Sequence, residues 1–205
     1  MKKNILLAVV AASLTAVPVM ADDLGVEVGL NAFMADSDNT LNEAKTTYGI
    51  EASFEHFIPL IPNAKIAVQD VEAGGTKHRL SHANLYYQVL DNDVVQADIG
   101  AGYSAITSGE FYDGKEYEEK SANINAMASL NLTENFSVFA DVTYMPNSDM
   151  KGFDAEVGVG YELEFAMIDV DLTASYRAME HDFGGRNGSE MMTTDGFNVG
   201  FSVGF

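Results

Sequence analysis

From Gly196 to Phe205 the chain reads Gly-Phe-Asn-Val-Gly-Phe-Ser-Val-Gly-Phe. The odd-numbered positions, Phe197, Val199, Phe201, Val203 and Phe205, are apolar, and the even-numbered ones, Gly196, Asn198, Gly200, Ser202 and Gly204, are small or polar. A strict period of two makes a strand with one apolar face. Chain ends commonly fray, yet here the last residue belongs to the pattern. That is expected of a strand that closes a barrel in lipid, where no backbone edge can be left open.

The same alternation recurs through the chain. Leu24, Val26, Val28, Leu30, Ala32 and Met34 alternate with Gly25, Glu27, Gly29, Asn31 and Phe33, about the eleven residues that a tilted strand needs to cross a bilayer. Further strands follow around Tyr48 to Glu55, Ala64 to Gln69, His82 to Val89, Val95 to Ala105, Ala122 to Leu132, Phe136 to Tyr144, Phe153 to Phe165 and Ile168 to Arg177. With the last one they number ten. Long polar connections at 36–45, 70–78, 107–120, 145–152 and 179–195 alternate with short ones at 58–63, 91–93, 133–135 and 166–168. Long loops outside and short turns inside are the outer-membrane asymmetry, and an even count puts both termini on the periplasmic side. The count falls to eight if the hairpin around Gly74 does not form.

A soluble β-sandwich also alternates, but its polar faces meet bulk water. Here those faces carry Gly, Ser, Asn, Asp and Glu, small residues suited to a confined lumen. Tyr and Phe recur near the strand ends as interfacial girdles do, although Trp is absent. The fold class is thus an all-β, antiparallel up-and-down transmembrane barrel, residues 22–205.

Residues 1–21 have the build of a secretory signal peptide. Lys2 and Lys3 give a positive start, Ile5 to Val17 an apolar run, and Val19-Met20-Ala21 a small-residue cleavage site. The apolar run is too short to span a membrane as a helix. Removing these residues takes away two lysines and no acid, moving the formal charge from −20 to −22 over 184 residues. So acidic a chain is not built to neutralise phosphates, which excludes nucleic acid. Cysteine is absent, so there is no disulfide framework, thiolate metal site or thiol nucleophile.

The C-terminal strand resembles the insertion signal of bacterial outer-membrane β-barrel proteins, in its Asn198, Gly200 and terminal Phe205, with Val203 where a second aromatic is common. The resemblance implies the outer membrane of a Gram-negative bacterium, handling by the outer-membrane assembly machinery, and outer-membrane lipid and lipopolysaccharide as surroundings. Phe57 to Asn63, with its two prolines, together with Gly74-Gly75 resembles the double-glycine outer-membrane protein family, which implies no assigned activity.

If the polar face lines the lumen, its acids are Glu27, Glu51, Glu55, Asp98, Asp141, Glu156, Glu162, Glu164 and Asp171, and its bases are Lys65 and Arg177. Nine acids cannot be paired by two bases, so the lumen must be wet, hold cations or carry protonated acids. A barrel this small lies near the size whose interior is filled by side chains. The reading is a passive barrel, either a structural or surface protein or a narrow cation-favouring pore, with no cofactor.

The alternative is an outer-membrane hydrolase or protease, for which Ser81 with His82 and the loop cluster Glu180-His181-Asp182 are the candidates. Sequence neighbours on a strand point to opposite faces, which is poor geometry for Ser81 and His82. His78 and His82 share a face but lie about 13 Å apart at strand rise, too far to share a metal. Asp36 to Thr40 has alternate oxygen ligands, but Leu41 and Thr47 break the EF-hand pattern, leaving weak divalent binding at acidic loops.

Overall fold

The computed structural model describes residues 25–36, 45–56, 58, 60–73, 75–111, 113–147, 149–165, 168–183 and 190–204. Signal residues 1–21, the loop residues 37–40, Gly74, Gly184, Gly185, Gly188 and the terminal Phe205 lie outside them. Among the described residues there are ten strands: β1 (Gly25–Asp36), β2 (Lys45–Glu55), β3 (Asn63–Ala73), β4 (Thr76–Asp91), β5 (Val95–Glu110), β6 (Glu116–Asn131), β7 (Phe136–Pro146), β8 (Lys151–Phe165), β9 (Ile168–Phe183) and β10 (Glu190–Gly204). Each pairs antiparallel with its sequence neighbours, and β1 pairs with β10 in register from Glu27 opposite Gly204 to Asp36 opposite Asp195, so the sheet closes. The barrel has ten strands, not eight.

Alternation sets the two faces of the wall. Leu30, Ile50, Ile66, Leu85, Ile99, Ile124, Val157 and Phe201 stand on the outside and are exposed. Outward residues of β5 from Val95 to Ala105 cover ten steps, about 33 Å along the strand and about 25 Å of height at a tilt near 40°. That is the height of the apolar band of an outer-membrane barrel. Outward aromatics bound it. Phe54, Tyr87, Phe136, Tyr161 and Phe165 lie towards the short turns, and Tyr48, Tyr103, Tyr144, Tyr176 and Phe197 lie at the upper margin. The short β2–β3 connection adds Ile58, Ile61 and Leu60, the last at positive φ and 90% exposed. Tyr87 Oη donates to the Leu60 carbonyl, tying this apolar loop to the wall at 3.0 Å.

Three of the long connections expected from sequence are largely strand. Residues 70–78 form the end of β3, a turn with Gly75 at φ 81° and the start of β4; residues 107–120 are mostly β5 and β6; residues 179–195 include the ends of β9 and β10. The cause is a reversal of the hydropathy pattern. Above the apolar band the outward positions become charged, as in Asp70, Glu72, Lys77, Arg79, Glu110, Lys120, Lys151 and Glu180, and the inward ones apolar, as in Val71, Leu80, Ile106, Met145 and Met179. A strand whose outer surface changes from apolar to charged exchanges its two faces, and that break reads as a loop in a search for one continuous alternation. The projecting strands are laced by Arg79–Asp70 at 2.8 Å, Lys77–Glu110 at 2.7 Å and Lys45–Glu72.

Candidate functional site

The lumen has two storeys. In the upper one Phe33, Ala35, Val71, Leu80, Ile106, Met145 and Met179, with Met150 from the β7–β8 connection, form a fully buried apolar cluster. Phe111, Tyr117 and Met192 pack against it. The sequence reading took the lumen face as chiefly small and polar and the outer strand ends as loops; the structure adds an apolar cluster, the plug, at the outer end, beside buried His78 and His181. Below it the lumen holds a cavity of about 230 Å³ and another of about 70 Å³, which share Glu51, Lys65, Asn125, Met127 and Asp141 in their walls.

A buried polar layer separates plug from cavity. Its members sit two residues from plug residues on the same strands: Gln69 below Val71, His82 below Leu80, Arg177 below Met179. Arg177 donates from Nε to Asp154 Oδ1 at 2.8 Å and from Nη2 to Oδ2 at 2.5 Å, a bidentate pair, and reaches Gln69 Oε1 at 3.4 Å. Its guanidinium carbon also lies 5.8 Å from the centre of the Phe33 ring, joining the layer to the plug. Gln69 donates to Thr47 Oγ1 at 3.3 Å.

Across the layer Asn123 Nδ2 donates to Ser104 Oγ at 2.8 Å, Ser104 Oγ lies 2.8 Å from His82 Nδ1, and His82 Nε2 lies 3.4 Å from Asp154 Oδ2. The order Ser, His, Asp matches that of a hydrolytic triad. However, Ser104 has no solvent exposure, and Asp154 is already held by two hydrogen bonds from Arg177. A nucleophile needs room for a reacting carbonyl beside it. In this geometry His82 bonds Ser104 through Nδ1, but its Nε2 makes no hydrogen bond with Asp154, so the three are a structural layer and not a relay.

By register, all nine acids expected on the lumen face stand there. Glu27, Glu51, Glu55, Asp98 and Asp141 line the lower cavity, and Glu156 with Asp141 and Glu51 the upper one. Glu162 opposes Asp171 nearer the short-turn rim. Lys65 and Arg177 also face inward, Lys65 in an ion pair with Glu51 at 3.1 Å. Arg177 is taken by Asp154, an acid on the same face as Glu156 that the sequence reading left out although the same alternation places it there. Glu55 accepts from Tyr86 Oη at 2.7 Å and Gln88 Nε2 at 3.1 Å, and Glu156 from Asn198 Nδ2 at 3.0 Å and from Ser175 Oγ. Asn198 and Gly200 lie on β10; Phe205 is outside the described residues.

The enzyme candidates read from sequence do not assemble. Ser81 opposes Val68 on the outer face while His82 points inward. Glu180-His181-Asp182 lies on β9, not in a loop, so its three side chains alternate between faces. His181 points in beside His78, with ring centres 6.1 Å apart. No group of three or more His, Cys, Asp or Glu able to hold a metal occurs among the described residues.

No protein-family model matches the chain, and no curated protein does. Among solved structures it is similar to the NanC porin in its rhombohedral crystal form, at 11% identity and a TM-score of 0.41, over 88% of this chain and 98% of that one. It is also similar to a deltaS2 mutant of the TodX monoaromatic hydrocarbon channel, at 7% identity and a TM-score of 0.33, over 88% of each chain.

Proposed function

We propose that the chain is an integral outer-membrane barrel of a Gram-negative bacterium, exported on residues 1–21, whose cation-favouring lumen is closed at its outer end by the apolar plug. Its role is passive, not enzymatic. The observation that carries this is the stacking of the two storeys: seven carboxylates against two bases line the described cavities, directly beneath a cluster of buried side chains. An acidic, narrow, low-dielectric cleft concentrates cations and repels anions. Packed apolar groups across the lumen exclude the water that an ion needs in order to pass.

The exterior supports the placement. The apolar band, its aromatic margins and the reversal of faces above it fit strands that leave a bilayer for water. Lys77, Arg79, Lys120 and Lys151 face outward above the band, where the phosphates of lipopolysaccharide lie. The C-terminal strand that resembles an assembly signal is the one that closes the barrel on β1. The positive φ of Gly75 supports the likeness to the double-glycine family at the turn that motif would form.

Conductance of the refolded, signal-free protein in a planar bilayer tests the reading. The native barrel is expected to be silent, and Leu80→Ala with Met179→Ala to give steps whose reversal potential in a salt gradient is cation-selective. Changing Glu162 and Glu164 to Gln in that background lowers the selectivity. Anion selectivity, or steady open steps from the native barrel, overturns the proposal.

A further inference from the structure

Two histidines sit among the plug residues. His78 on β4 stands directly opposite Val71 of β3 and two residues from Leu80, and His181 on β9 stands opposite Met192 of β10 and two residues from Met179. They are 4% and 0% exposed. Both lie above the apolar band. His181 is five residues beyond Tyr176, and His78 five beyond Ala83, which opposes Tyr103 at the upper margin. Five residues are about 16 Å of strand.

The strand order makes their meeting informative. In a closed ring of ten strands β4 and β9 are five steps apart in either direction, so they stand on opposite sides of the barrel. Yet the two imidazoles have ring centres 6.1 Å apart, at an interplanar angle of 80°. Their side chains therefore reach across the lumen and meet within it. Plug residues on adjacent strands can pack along the wall, but this pair crosses the middle.

The surroundings suit neutral rings. His78 Nδ1 lies 3.1 Å from Tyr117 Oη, and its Nε2 has no hydrogen-bond partner among the described residues. Strands β1, β5, β7 and β10 turn uncharged groups inward at this end, Ala35, Ile106, Met145 and Met192 among them. The charges that face the pair come from the other strands. Asp70 of β3, paired with Arg79, favours the charged form of His78, and His181 opposes it. Asp154 of β8 favours the charged form of His181, while His82 and Arg177, the latter already paired with Asp154, oppose it. Glu119 of β6 faces inward opposite Ile106, and Lys45 of β2 stands at the rim in a pair with Glu72. Burial outweighs these charges and holds both imidazoles well below the ordinary histidine value, His78 at about 3 and His181 at about 4.

A ring released into water takes up its proton near the ordinary value of about 6.5. The closed plug therefore binds fewer protons than an opened one. Its stability is complete above about pH 6.5 and is lost progressively as the pH falls towards about 4. The two protons also place like charges side by side.

We propose that His78 and His181 form an acid-operated latch: neutral, they meet across the lumen and complete the plug, and protonated, they repel each other, take up water and open the outer end. This rests on the closed-barrel reading of the plug and adds what controls it.

Planar-bilayer conductance of the refolded, signal-free barrel from about pH 7.5 to about pH 4.5, alongside imidazole NMR of the histidine-labelled barrel, tests the latch. With four histidines in the chain, each signal can be assigned by single substitutions. The native barrel is expected to be silent at neutral pH and to open in acid, its open-to-closed ratio rising up to about a hundredfold per pH unit. His181→Leu should reduce that to about tenfold, and His78→Leu with His181→Leu should abolish it. The His78 and His181 signals should change together, at the pH of opening. Heat-modifiable mobility shows that each variant has folded; should the double variant fail to fold, the halved response of His181→Leu alone decides. A native barrel that stays silent in acid, an acid response that survives the substitutions, or opening while both rings are still neutral overturns the latch and leaves the closed-barrel reading standing. Steady conductance at neutral pH removes the closed-barrel reading, and the latch with it.

Discussion

Above Arg177 the strands turn Val71, Leu80, Ile106, Met145 and Met179 into the lumen and charged side chains to the outside; below it the same strands carry carboxylates and asparagines inside and Leu85, Ile99 and Ile124 outside. The two storeys share one backbone, one register and one alternation, with its phase reversed. On the proposed placement, what differs is the medium outside. In lipid the apolar groups go out and the polar ones are forced inward, where they need water or ions. In water the apolar groups go in and make an ordinary core, worth about 1.5–3 kcal/mol for each large side chain buried. On the proposed placement the plug is a consequence of strands long enough to leave the membrane.

The largest effect is expected where the two storeys meet. Arg177→Met leaves Asp154 buried without its partner and should cost about 3–5 kcal/mol, of which most returns when Asp154→Leu is added. Phe33→Ala, in the plug, should cost about 3–5 kcal/mol by leaving a cavity. Both are read by reversible guanidinium unfolding in lipid vesicles. If Phe33→Ala costs no more than an exposed substitution, the upper lumen is not a packed core.

Next comes the outer wall, where the reversal can be tested from outside. Leu85→Arg, in the apolar band, should cost about 2–4 kcal/mol, as basic residues do at the midplane of a barrel's lipid face. Six residues away on the same face of β4, Arg79→Leu should be close to neutral in the same unfolding measurement. Equal costs at the two positions would place the membrane boundary elsewhere.

Much of this was legible in the sequence. Alternation located every strand, the faces of the apolar band and the inward direction of Glu51, Glu156 and Arg177, because within that band the period of two keeps one phase. The plug was hidden for the same reason. Leu80 follows Arg79 and precedes Ser81, which in a uniform pattern marks the end of a strand; only the sheet register shows β4 continuing upward with its faces exchanged. The pairing of Arg177 with Asp154 and of His82 with Ser104 joins neighbouring strands but needed their register, and the approach of His82 to Asp154 crosses the lumen between strands far apart in sequence. A switch from apolar to charged outward positions without a Gly or Pro break, as from Val68 to Asp70 and Glu72, is the signal that would have found the extension.

The smallest effect belongs to the ion pairs on the outside of the extension. Arg79 and Asp70 make two hydrogen bonds, at 2.8 and 3.2 Å, but both side chains are about half exposed. Solvent screens such a pair, so a double-mutant cycle through Arg79→Ala and Asp70→Ala should give only a small coupling that fades in high salt. The contrast with Arg177 and Asp154 is then one of burial alone. The same guanidinium–carboxylate geometry that contributes little in water becomes, two residues beneath the plug, a pair that cannot lose one member without exposing the other to a medium unable to solvate it. A coupling at Arg79 as large as that at Arg177 would mean that the extension is not bathed in water, and would move the upper storey into the membrane.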